Sequence, residues 1–197
     1  IAEDRVLTAA HCLYDDRTGT RIPVDRLQFR AGWRDGQPWI YRRARAAVVH
    51  PGFDFDAPRD RVRVGHDLAL IALQYPIRSV AGYPTAAAPR TGDRLRLVSY
   101  AHDRAEAPAI DDRCAVLARQ DAMVVLSCTV DFGASGAPVF AFGDEGAPRI
   151  VSVISAKATV DGAPVSLGTG LGAPLETLER ALQRGGARVT RRTAVAD

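Results

Sequence analysis

Residues Gly65 to Leu73 read GHDLALIAL, an aspartate followed by six apolar residues in a row. A run of that length fits a buried strand and falls far short of the ~18 residues needed to cross a bilayer. Similar short runs recur outward from it in both directions. Upstream lie RVLTAA, LQFRAGW and ARAAVVH; downstream lie RLRLVSYA, CAVLA, MVVLSC, PVFAF and RIVSVISA. Most span four to eight residues, many are rich in Val, Leu and Ile, and Gly, Pro, Asp and Arg separate them. That pattern predicts an all-β sandwich or barrel and speaks against alternating βαβ units.

Two stretches depart from it. Pro76 to Gly92 carries three prolines and no periodicity, which marks a connection between two β halves. Leu175, Leu178 and Leu182 fall at helical spacing, and Gly185 and Gly186 end the pattern, which predicts one C-terminal helix. The expected organisation is a β unit over 1–75, a linker over 76–91, a second β unit over 92–175, and a helix with a polar tail over 176–197. The chain starts within strand-like sequence, so the first strand is expected to be cut short. No internal repeat and no low-complexity tract is present.

Of 197 residues, 47% are hydrophobic and 25% charged, a balance that excludes a disordered chain. The 26 basic and 23 acidic residues leave a net charge of +3, too small and too dispersed for a nucleic-acid groove. Lys157 is the single lysine, and the arginines cluster only briefly, at Arg191 and Arg192. No histidine or cysteine spacing suits a metal site: His11 and Cys12 are adjacent, and no HExxH occurs. Among the three cysteines, Cys114 and Cys128 lie in neighbouring strand-like segments that a hairpin could join. Two readings stay open: a disulfide formed in an oxidising compartment, or three reduced thiols.

The chemistry-bearing residues come in a definite order. His11 lies in VLTAAHC, Asp67 heads the apolar run quoted first, and Ser135 sits among small residues in DFGASGAPVF, Asp131 to Phe140. A serine hydroxyl is a weak nucleophile until a base takes its proton and a third group orients that base. His66 adjoins Asp67 and is expected to point to the opposite face of a strand. His50 precedes a proline and reads as structural. Asp54, Asp56 and Asp60 share a polar loop and read as solvated.

Together these motifs resemble those of trypsin-like serine peptidases. VLTAAHC is similar to their histidine motif, HDLALIALQYPI to their aspartate strand, and GASGAP to their GDSGGP serine loop, while VVHPGF resembles a stretch between the first two. The resemblance covers most of the chain in the family's own order, and the serine loop looks more like bacterial secreted members. It implies a chymotrypsin-like double barrel, two closely packed antiparallel β-barrels of six strands with a C-terminal helix. It also implies a serine endopeptidase that needs no cofactor, acts on protein or peptide substrates as a monomer, and is secreted or periplasmic.

By the same resemblance, His11 is the base, Asp67 its orienting partner and Ser135 the nucleophile, with the N–H groups of Gly133 and Ser135 as the oxyanion hole. Counting back without gaps puts Thr129 at the base of the primary specificity pocket, with Val130 beside it. Ser155, Ala156 and Lys157 form the opposite wall, and Gly170 leaves the far side open. Thr129 replaces the aspartate of trypsins, and Ile154 stands where glutamate-specific bacterial relatives carry a histidine. The expected P1 residue is therefore small or medium and uncharged.

Two departures qualify this. Ala134 replaces the aspartate that orders the oxyanion loop of digestive enzymes after zymogen cleavage, so that switch is not expected here. Cys12 usually pairs with an upstream cysteine, and none of the residues ahead of it is one, which points to a missing N-terminal strand. A catalytically silent homologue that binds partners through its cleft is the alternative reading.

Overall fold

The computed structural model describes residues 1–102, 104–142 and 147–192. Four strands form the first half: β1 (Arg5–Thr8), β2 (Gln28–Ala31), β3 (Ile40–Val49) and β4 (Ala69–Leu73). They pair antiparallel in the order β1-β4-β3-β2. The second half contains β5 (Arg94–Ala101), β6 (Arg104–Gln120), β7 (Met123–Leu126), β8 (Pro138–Ala141), β9 (Arg149–Val160) and β10 (Ala163–Gly170). These close on themselves in the order β10-β7-β6-β5-β8-β9.

The expectation of two six-stranded barrels is thus half met. The second half is a closed six-stranded barrel, whereas the first is a four-stranded half-barrel open between β1 and β2. That opening is an apolar groove of about 320 Å³ bordered by Leu7, Leu13, Phe29, Ile71 and Cys12. Every strand expected from its apolar run is present. The one missed is β10, whose Pro164, Gly168 and Gly170 obscure the pattern. Its ladders to β9 and β7 set its conformation, so pairing overrides local propensity.

The halves share a core. Leu68, Leu70 and Ala72 from the sheet pack with Phe140, Ile150 and Val153 from the barrel. Helix α2 (Ala173–Arg192) lays Leu175, Leu178 and Leu182 into the same cluster. Burial of each such leucine contributes about 1.5–3 kcal/mol, so the helix fastens the two halves together. It does not stop at Gly185 and Gly186 but runs on to Arg192. Two glycines cost about 1 kcal/mol each relative to alanine, and the arginines and alanines around them are good helix formers. The tail beyond Arg192, and the side chains of Arg191 and Arg192, lie outside the described residues.

In the barrel, Cys114 and Cys128 form a disulfide, with both sulfurs in the core beside Leu95, Val116 and Leu126. Cys12 is a free thiol, partly buried. No helix of the described residues is long and apolar enough to cross a membrane.

Candidate active site

Asp67 is set in place from both sides of the molecule. Asp60 caps helix α1 (Arg61–Gly65) by accepting the N–H groups of Val62 and Arg63, at 2.9 and 3.0 Å. The chain leaving that helix turns back, with Asp67 N–H donating to Val64 C=O at 3.2 Å. From the barrel, Thr169 donates its hydroxyl to the carbonyls of Val64 (2.6 Å) and Asp67 (3.2 Å). Asp60 therefore serves as a helix cap, where the sequence suggested only a solvated residue.

The Asp67 carboxyl is 3% exposed, a placement that requires donors for a charged form. It has three. His11 N–H donates to Oδ1 at 2.9 Å, His11 Nδ1 meets Oδ2 at 2.6 Å, and Ser155 Oγ–H donates to Oδ2 at 2.5 Å. Charge-assisted bonds of this kind are short and about twice as strong as neutral ones. With Nδ1 facing the carboxylate, the neutral imidazole carries its proton there and leaves Nε2 as an acceptor. Burial lowers the pKa of His11, but Asp67 and Cys12 together outweigh that and raise it to about 10.

The serine loop meets this turn edge on. An added Cβ on Gly136 would stand 2.5 Å from Thr8 Oγ1 and 3.7 Å from Cys12 Sγ, so the loop backbone lies directly against the histidine segment. Gly136 also has φ of +81°, a region that favours glycine. Ser135 is exposed and, among the described residues, makes no hydrogen bond to His11; Nε2 has Cys12 Sγ at 3.8 Å.

The loop holds its shape without a carboxylate at Ala134. Phe132 C=O accepts from His102 N–H (2.8 Å), Gly136 N–H donates to Ile154 C=O (2.8 Å), and Ala137 N–H donates to Ala134 C=O (3.0 Å). Ala134 itself is buried, and its N–H donates to Asp131 C=O at 3.2 Å. Gly133 has φ of +94°, and a Cβ there would crowd His102 N at 3.0 Å. The N–H groups of Gly133 and Ser135 have no acceptor among the described residues.

The specificity residues are placed less uniformly. Thr129 is exposed and follows the disulfide, and Val130 packs on the edge of the barrel core. Ala156 is partly buried on β9. Ser155 does not offer its hydroxyl to a pocket wall: that group is committed to Asp67. Gly170 does not leave an open side, since an added Cβ would stand 2.7 Å from Ala88 Cβ and 3.3 Å from Ala122 O. Lys157 reaches over the exposed ring of Phe132, with Nζ 3.6 Å from its centre.

The remaining histidines fall elsewhere. His66 caps the end of α1 rather than lying in a strand, and it stacks on His50 with ring centres 4.7 Å apart. Burial, with the neighbouring His66, lowers the pKa of His50 to about 4. Among the described residues no cluster could hold a metal ion.

Sequence reasoning missed the role of Ser155 in bonding Asp67 and that of Thr169 in bonding its carbonyl. A short polar residue within an otherwise apolar strand (RIVSVISA) is the signal that could have found Ser155.

A half-barrel packs on a closed barrel, with the His11–Asp67 pair on one side and the backbone of the serine loop lying against the histidine segment. Comparison with known proteins places this fold among hydrolases of the serine endopeptidase class. A family model for the trypsin-like peptidase domain matches residues 1–151, and the chain belongs to that family. It is similar in fold to a solved Glu endopeptidase in complex with MPD, at 18% identity and TM-score 0.71, over 92% of this chain and 82% of that one. No curated protein matches its sequence.

Proposed function

We propose that the chain hydrolyses peptide bonds through a Ser135-His11-Asp67 triad and an acyl-enzyme. The observation that carries this is the His11 Nδ1 to Asp67 bond of 2.6 Å, which turns Nε2 away from the carboxylate so that, once His11 is deprotonated, Nε2 serves as the base. His11 takes the Ser135 proton as the oxygen attacks the substrate carbonyl, then returns it to the leaving amine. Asp67 holds the tautomer and stabilises the imidazolium. The unpaired N–H groups of Gly133 and Ser135 receive the developing oxyanion, worth about 3–4 kcal/mol per donor in such sites. Water, deprotonated by the same imidazole, then releases the acyl group. Ser135 and His11 close to hydrogen-bond distance when substrate binds, as catalytic contacts often do.

We read the P1 preference as small or medium and uncharged. Neither Thr129 nor Val130 carries a charge for Arg or Lys. Lys157 rests on Phe132, a contact that screens its charge from the P1 side chain. The disulfide accords with a secreted or periplasmic site of action.

An organophosphonate probe tests the mechanism. It should form an adduct at Ser135 that His11→Ala abolishes. Folded protein with no adduct would identify a silent homologue acting as a binding protein. Cleavage of a mixed peptide library should favour Ala, Val or Leu at P1, and a dominant arginine or glutamate would overturn the specificity reading.

A further inference from the structure

A second surface, on the half-barrel, has the composition of a docking site. A groove of about 690 Å³ runs along the start of β3 and the segment after β4. Three of its aromatic residues are largely exposed: Trp39 at 80%, Tyr41 at 58% and Tyr75 at 69%. An open aromatic side chain is ordinary singly, but three converging on one groove form a patch that calls for a partner.

Trp39 is held for contact. Its indole lies on the backbone of Gly32, where an added Cβ would fall 2.5 Å from the ring. Gly32 has φ of +64°, and Trp39 N–H donates to Ala31 C=O at 2.9 Å. The ring is therefore anchored along one face while most of its surface remains open. Rigid aromatics of this kind bind at low entropic cost.

The charge of the groove has one sign. Arg42 and Arg43 line it, and none of its lining residues is acidic. Neither guanidinium has a carboxylate partner among the described residues. Arg42 Nη1 donates to Tyr41 C=O at 2.9 Å, while its Nε is buried and has no partner. The arginine just beyond, Arg45, does have a carboxylate in Asp4, so ion pairing is available on this sheet yet withheld from the groove.

The backbone is open in part, Tyr41 C=O being already engaged by Arg42. On its far side, β3 pairs with β4 only from Ala44, opposite Leu73; before that, Gln74 N–H donates to Arg43 C=O at 2.9 Å. Over Ile40–Arg42 the strand pairs with β2 alone. An extended peptide could run along that free edge with its side chains set between the aromatic rings.

We propose that this groove binds an extended acidic segment of a polypeptide, with carboxylates on Arg42 and Arg43 and apolar side chains on Trp39 and Tyr75. The segment adds to the free edge of β3, away from the bond-cleaving site.

The test uses the whole chain carrying Ser135→Ala, so that a bound peptide is not cut and binding is read apart from catalysis. The probe is a fluorescein-labelled peptide, Glu-Glu-Phe-Glu-Glu-Leu-Glu-Glu, followed by anisotropy. It should bind and weaken as salt rises, since exposed charges are screened within about 10 Å at 0.1 M. Arg43→Glu should weaken binding at least about fivefold, the upper value for losing one exposed ion pair. Tyr75→Ser, a change at an exposed position, should weaken it with the fold intact. Absence of binding would overturn the proposal, as would equal binding of the Glu→Gln peptide or indifference to both variants. Association of the protein with itself that Tyr75→Glu abolishes would overturn it in favour of a second copy. Quenching of Trp39 by a neutral oligosaccharide instead of the peptide would overturn it in favour of a sugar.

Discussion

Replacing Ser155 with alanine removes one donor from a carboxylate that is otherwise out of contact with solvent. The hydroxyl is 2.5 Å from Asp67 Oδ2, and the two residues are 8% and 3% exposed. A hydrogen bond to a charged group contributes about 1.5–3 kcal/mol, and in the variant Asp67 keeps its charge with only His11 to satisfy it. Stability should therefore fall by about 1.5–3 kcal/mol, or about 3–12 °C in Tm for a chain of this size. The chemistry should respond in a way that plain destabilisation would not. Without the Ser155 hydroxyl, Oδ2 serves His11 Nδ1–H alone and that hydrogen bond, which raises the His11 pKa, strengthens, so the imidazole deprotonates at higher pH. Organophosphonate labelling of Ser135, measured as a second-order rate across pH, should show its acid limb displaced upward. Ser155→Thr keeps the hydroxyl and should restore both properties. If Ser155→Ala changes stability by less than about 0.5 kcal/mol, the range of ordinary surface substitutions, and leaves the limb in place, the bond is not made in solution.

Asp67→Asn should cut the labelling rate by about 10⁴-fold and move the acid limb down, because burial lowers the His11 pKa once the carboxylate is gone; an unmoved limb would show that Asp67 does not set it. Because the folded pKa of His11 is raised to about 10, its contribution to stability should be full below about 6.5 and lost as pH rises through the folded value. Urea titrations of wild type and His11→Ala should then converge between those limits, and parallel curves would refute the linkage. Changing Cys114 and Cys128 together to alanine should cost about 3 kcal/mol, since the bridge closes a loop with sequence separation 14; an unchanged urea midpoint would refute that estimate.

The strands were legible because short apolar runs between turn residues have few other uses, and GHDLALIAL alone carries both β4 and Asp67. The candidate histidine and serine stand out through motifs in which backbone shape dictates sequence: Gly133 and Gly136 both adopt positive φ, and neighbouring residues are small. What the sequence did not reveal depends on pairing across distance. β10 is a strand because β7 and β9 flank it, although its own residues argue weakly for one. The helix continues past Gly185 because a glycine is a cost and not a barrier. A gapless count could place Ser155 near the substrate, yet its rotamer is chosen by a carboxylate 88 residues away in sequence. The same limit applies to Gly170, whose neighbours Ala88 and Ala122 come from other segments.

The bonds around Asp67 also explain why the two halves keep one relative position at the site. His11 and Asp67 belong to the half-barrel, whereas Ser155 and Thr169 belong to β9 and β10 of the barrel. Ser155 bonds the Asp67 carboxylate and Thr169 its carbonyl, so two donors cross the seam onto one residue. Gly136 N–H in turn donates to Ile154 C=O, which fixes the serine loop to the strand that carries Ser155. Any sliding of barrel against sheet would strip one donor from a buried carboxylate and one from a backbone carbonyl, at a cost of about 1–3 kcal/mol or more for each group left unsatisfied. The apolar cluster of α2 resists separation but tolerates small shifts, because hydrophobic burial is not directional. Direction comes from the polar contacts. On this reasoning the Ser155 hydroxyl does more than orient Asp67: it sets the register between the segment bearing His11 and the one bearing Ser135.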